Sequence, residues 1–240
     1  MEGVFSLKHI IGLVWVTAMI VGLYLLSNRL RKKKGIGFVL RAGAVFLIAM
    51  ELIKYVYLIV RGQWDMSYIP LHFCSLMLYI YPVIAFFPKT KIAKRILPFA
   101  FSGGIIAGLI ALILPTNILG DPGIPWLSTA SFLPIVSFIY HGVMVWYSSW
   151  LAYSRHYVPR YRDTLNMMAF VFFFAIIAMV VNVLFNQDFM MLREGAGNPL
   201  AFLLAYHYAV YILAQIALAL GLNSLLIFIV RRLQRLQRWR

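Results

Sequence analysis

The chain is short of charge, and shorter still of acid. Only 12% of its 240 residues are charged, and seven acidic side chains stand against 22 basic ones. A soluble domain carries roughly a quarter of its residues charged, so a water-facing globule is excluded. The single cysteine, Cys74, rules out an internal disulfide and any cysteine-cluster metal site. No His-x-x-x-His or Cys-x-x-Cys spacing offers a zinc centre, and no glycine-rich phosphate loop follows a strand. No metal or other cofactor is therefore expected. Fixed-period repeats and low-complexity tracts are absent too. The first apolar run has no small-residue cleavage site behind it and reads as a retained span.

What the chain does have is apolar length. It is 63% hydrophobic, with mean hydropathy +0.86. A membrane-crossing helix needs about 20 apolar residues. Seven runs approach that length: 10–27, 37–60, 69–87, 96–114, 132–153, 165–185 and 203–230. The expected fold is all-α, a polytopic membrane protein of seven transmembrane helices. It forms a single domain over 1–240, ending in a basic tail at 231–240.

Charge in the connections orients this array. Basic residues crowd four segments, around Arg29–Lys34, Lys89–Arg95, Arg155–Arg162 and the tail from Arg231. The alternate connections carry only Lys8, Arg61 and Arg193, beside Glu2, Asp65, Asp121, Asp188 and Glu194. The positive-inside rule places the first set in the cytoplasm. The amino terminus is then outside and the carboxyl terminus inside, which only an odd number of spans satisfies. Orientation thus explains the net charge of +15, and no nucleic-acid partner is expected. The tail "RRLQRLQRWR" is expected to touch anionic headgroups. The expected location is a bacterial cytoplasmic membrane. The long outer connection at 115–130, rich in proline and glycine, reads as a structured cap or a re-entrant turn.

Ionisable groups inside spans are costly and face a cavity or a partner. Six of them fall in the outer half of the expected bundle: Glu51, Lys54, His72, Cys74, His141 and His207, with Asn182 at the same level. The segment "IPLHFCSLMLYIYP", residues 69–82, holds two of them. Each has a plain reading beside a functional one. Glu51 and Lys54 are three apart, so they form either a structural ion pair or part of a binding site. Cys74 is either a small apolar filler or a reactive thiol. His207, Tyr211 and Gln215 recur every four residues and make either a cavity lining or an interhelical hydrogen-bond seam. A helix through the motif would put His72 and Cys74 on nearly opposite faces. Cys74 and His141 lie at comparable depth, and an imidazole taking the proton of a thiol suits acyl transfer or ester hydrolysis through a thioester. Catalytic Cys74 and His141 would then be served by a substrate site of His72, Glu51, Lys54, Asn182, His207, Tyr211 and Gln215. The rival is a non-catalytic heptahelical transporter or receptor that uses the same cavity for a solute or ion.

Three stretches carry a resemblance. "IPLHFCSLMLYIYP" is similar to the "LPLHLCSxS" hallmark of the YwaF-like membrane proteins, related to human transmembrane protein 164. "YHGVMVWYSSWL", from Tyr140, resembles the fifth-span histidine segment of that family. "NVLFNQDFMMLREGAGNP", from Asn182, resembles its stretch before the last span, with Asp188-Phe189-Met190 where the family usually has Asn-Tyr-Met. The resemblance implies a heptahelical fold. Its vertebrate branch implies phospholipid acyl transfer, with Cys74 as nucleophile, His141 as base and a membrane phospholipid as substrate or ligand.

Overall fold

A computed structural model describes residues 3–116, 118–195 and 197–236. Glu2 of the acidic set and Arg238 and Arg240 of the tail lie outside the described residues. Seven helices follow one another, and no strand occurs among the described residues: α1 (Leu7–Lys34), α2 (Ile36–Val60), α3 (Met77–Phe86), α4 (Lys91–Ile113), α5 (Phe132–Tyr153), α6 (Asp163–Phe185) and α7 (Tyr208–Leu236). Local chemistry marks their ends. The Ser6 hydroxyl accepts from His9 N at 3.2 Å to start α1, and the Thr90 hydroxyl accepts from Ala93 N at 3.2 Å to start α4. Gly35, at φ 80°, is the only residue between α1 and α2. That left-handed conformation favours glycine.

Side-chain pairings show which way each helix runs. Gly12 faces Phe138, Tyr24 bonds Ser149 and Asn28 bonds Tyr153, so α1 and α5 are parallel. Gly108 faces Val145 and Gly104 faces Ser148, so α4 runs against α5. Asn223 bonds Thr164 at the start of α6, and Gln234 bonds Ala152 at the end of α5, which sets α7 alongside α5 and against α6. The chain therefore crosses the bundle seven times. All four basic segments gather at one end, here called the basic end. Lys8, the α2–α3, α4–α5 and α6–α7 connections share the opposite end.

Six of the crossings are helices long and apolar enough to span a bilayer. The third is not. The run at 69–87 is uniformly apolar, yet α3 is a helix of 10 residues, about 15 Å long. It cannot cross a hydrocarbon core of about 30 Å. The rest of that crossing is an irregular leg from Ile69 to Leu76, preceded by a 3₁₀ turn at Met66–Tyr68. Hydropathy reports how apolar a segment is, and Pro70 opens this one with a residue that has no N–H to donate. The other boundaries agree more closely. The expected 132–153 coincides with α5, whereas α7 begins at Tyr208 rather than 203, because 201–205 forms a separate 3₁₀ turn.

The core sits where α4 and α5 meet. A Cβ added at Gly108 would stand 2.6 Å from Val145 and 3.0 Å from the His141 carbonyl, and one at Gly104 would overlap Ser148 and Tyr81. Small residues here let two backbones approach, the usual device of helix association in lipid. Tyr81 and Ser148 share a 2.6 Å hydrogen bond, and Ser148 donates onward to the Ala100 carbonyl. By contrast α6 and α7 expose most of their apolar surface. The long α4–α5 connection is a packed cap. Trp126 donates to the Lys8 carbonyl at 2.8 Å and packs edge-on against Phe138.

Candidate functional site

The irregular leg carries His72, Cys74 and Ser75. Because it is not helical, His72 and Cys74 do not take the opposite faces that a helix would impose. The leg winds into α3 through short turns: Leu76 N donates to the His72 carbonyl and Met77 N to the Cys74 carbonyl, each at 3.2 Å. Two contacts fix it from outside. The Tyr140 hydroxyl of α5 donates to the Cys74 carbonyl at 3.3 Å. Phe73 packs edge-on against Phe99 of α4, ring centres 5.2 Å apart. Cys74 itself is partly buried. Its Sγ lies 3.9 Å from Ser75 Oγ.

His141 follows Tyr140 on α5 and is almost fully buried. Its Nδ1 lies 2.7 Å from the Ser137 carbonyl one turn back. A ring nitrogen against a carbonyl must be the protonated one, so Nε2 is left as the basic nitrogen. Cys74 and His141 make no hydrogen bond to each other. Lys54 of α2 lies within electrostatic reach of His72, Cys74 and His141. Its ammonium pairs with Glu51 at 2.6 Å, and lies over the Tyr55 and Tyr68 rings at 5.2 and 6.0 Å. Side chains from α2, α5 and the leg are thereby gathered at one level of the bundle.

The α6–α7 connection closes over this group. Asn182, fully buried at the end of α6, holds both backbone groups of Phe189: Phe189 N donates to Oδ1 at 2.7 Å, and Nδ2 donates to the Phe189 carbonyl at 3.0 Å. Phe189 in turn meets His72 edge-on, ring centres 5.1 Å apart. Asn182 thus acts on the site through the loop that it folds. Arg193 caps the same helix end, donating to the Asn182 carbonyl and to Asn186, both at 3.0 Å. Tyr211 and Gln215 converge on the Met191 carbonyl, at 2.6 and 3.4 Å. That makes their stripe a seam between α7 and the loop. His207 stands apart from the group. It is exposed, and its Nδ1 accepts from Ala209 N at 3.1 Å at the start of α7.

Several contributors escape a reading of spacing. Ser137 had a signal, since it precedes His141 by one helical turn. Tyr140 and Phe189 had none, because their partners are 66 and 117 positions away along the chain (140 − 74 and 189 − 72). Among the described residues no group of three His, Cys, Asp or Glu side chains is placed to hold a metal ion.

The model of the TMEM164 family covers residues 4–227. No curated protein and no solved structure matches the chain.

Proposed function

This chain belongs to the TMEM164 family, and from that membership we propose that it is a membrane-embedded lipid acyltransferase or lipid ester hydrolase acting through Cys74 and His141. The observation that supports the reading best is the Tyr140 hydroxyl on the Cys74 carbonyl. That bond joins the motif to the turn of α5 that presents His141. We place the protein in a bacterial cytoplasmic membrane, amino terminus outside, with the site in the outer half and open to phospholipid of that leaflet.

In this mechanism His141 Nε2 takes the Cys74 thiol proton. The Ser137 carbonyl holds the Nδ1 proton and with it the tautomer. Sγ then attacks the ester carbonyl carbon of a phospholipid. The bond from that carbon to the lipid alcohol breaks, and the alcohol departs with the proton from the imidazolium. The thioester is resolved by the hydroxyl of a lysophospholipid, giving transfer, or by water, giving hydrolysis. Lys54 stabilises the thiolate and the oxyanion across the site. Thiol and imidazole close to bonding distance as substrate enters, which the irregular leg permits more readily than a helix would.

The test is mass measurement of the intact protein after incubation with mixed phospholipids, for wild type, Cys74→Ala and His141→Ala. The expected result is a hydroxylamine-sensitive acyl adduct on wild type, absent from Cys74→Ala and slow to form on His141→Ala. Undiminished lipid turnover by Cys74→Ala removes the thioester mechanism. No turnover in any variant, with a tightly held non-lipid ligand, favours a transporter or receptor.

A further inference from the structure

At the basic end, the α5–α6 connection and the last turns of α7 form an open cleft of about 630 Å³. Arg160, Arg162, Arg231 and Arg235 line it, with Tyr161 and Gln234 between them and no acidic side chain. Both walls are held in place. Gln234 Nε2 donates to the Ala152 carbonyl at 3.0 Å, tying α7 to the end of α5. The Arg231 guanidinium lies over the Tyr161 ring, 5.5 Å from its centre.

The nearby carboxylate of Asp163 is already engaged, by the Tyr157 hydroxyl at 2.8 Å and by Arg160 N at 3.1 Å. Burial, and then that carboxylate, push the Tyr157 phenol up, so it remains the donor. Among the described residues no ion pair joins any of these four guanidiniums to a carboxylate. Four like charges lining one cleft raise its positive potential and favour an anion there. Guanidinium forks match phosphate oxygens in pairs, which ammonium groups do not. Apolar surface continues from the rim along both helices. Leu165 lies one turn into α6, and Phe228 one turn before Arg231; both are exposed.

We propose that this cleft binds the phosphate of an anionic phospholipid headgroup, with the acyl chains lying along α6 and α7. The site is independent of Cys74 and His141 and stands at the other end of the bundle. The apolar surface at its rim favours a lipid over a soluble phosphate.

Native mass measurement of the full chain in detergent tests this, titrating phosphatidylglycerol, phosphatidylcholine or inorganic phosphate. Phosphatidylglycerol should bind and phosphatidylcholine should not compete. Arg231→Gln with Arg235→Gln should weaken binding roughly tenfold or more. Arg162→Gln, a single change on an exposed residue, should weaken it less and guards against loss of fold. Arg231→Lys with Arg235→Lys should recover only part of the affinity, because charge without the fork is insufficient. Lys32→Gln with Lys33→Gln removes the same charge from α1 and should change nothing. Equal loss in that control, or equal binding of phosphatidylcholine, overturns the proposal. Inorganic phosphate displacing the lipid at comparable concentration overturns the lipid assignment in favour of a soluble anion.

Discussion

Glu51→Gln should destabilise the protein more than Glu51→Gln combined with Lys54→Met. The pair is close, at 2.6 Å, and sheltered, with side chains 11% and 21% exposed. Removing one partner of a buried pair costs about 3–5 kcal/mol, because the other charge is left without compensation. After Glu51→Gln, Lys54 keeps the faces of Tyr55 and Tyr68, each worth roughly 0.5–1 kcal/mol, so about 2–3 kcal/mol remains. After Lys54→Met, Glu51 keeps the neighbouring Tyr55 hydroxyl, and the loss should be comparable. The double variant replaces the pair with neutral groups of similar size and should lose about 1 kcal/mol or less. A double-mutant cycle on unfolding in detergent measures the coupling, expected at roughly 2 kcal/mol or above. Additive losses, within about 0.5 kcal/mol, would mean that the side chains do not interact.

Two further outcomes follow from packing. Gly104→Ala drives a methyl group into Ser148 Oγ and the Tyr81 hydroxyl, costing about 2–4 kcal/mol for overpacking and a lost hydrogen bond; Gly22→Ala, with nothing within 4 Å, should be neutral or slightly stabilising in the same melts. Asn182→Ala leaves both backbone groups of Phe189 unpaired, a loss of about 2–4 kcal/mol, and should open the 186–200 connection to limited proteolysis before the helices melt.

Long-range order was legible wherever one physical signal dominated. Apolar length found the six long helices and, less exactly, the shorter α3, and alternating loop charge anticipated the gathering of the basic segments at one end. Spacing of three residues anticipated the Glu51–Lys54 pair, because helical geometry alone brings those side chains together. Spacing of four found the Tyr211–Gln215 stripe, and of its two readings the structure has the hydrogen-bond seam. It misplaced His207, which sits ahead of the first helical residue, where the periodicity no longer applies. The Asn182 clamp on Phe189 depends on how the chain turns back after the end of α6, and no periodic pattern encodes that. Tyr140 reaches Cys74 only because α5 lies beside the leg, which is a fact of tertiary packing.

The largest departure, the unwound third crossing, is also the most informative. Lipid offers no partner to a free N–H, so irregular backbone at membrane depth persists only when it is buried in protein or faces a polar cavity. Protein covers this leg on several sides: Tyr140 on its carbonyl, Phe99 on Phe73, Phe189 on His72. Yet the N–H groups of His72 and Phe73 donate to no acceptor among the described residues. These are the orphan donors of a helix that starts late, and they stand around the one cysteine of the chain. A filler residue would have no need of such surroundings, since an uninterrupted helix satisfies the same backbone at lower cost. A nucleophile does need them. Free N–H groups can receive the oxyanion that forms when Sγ adds to an ester carbonyl. The break in the helix therefore bears on the role proposed for Cys74 through backbone geometry, independently of where the imidazole of His141 comes to rest.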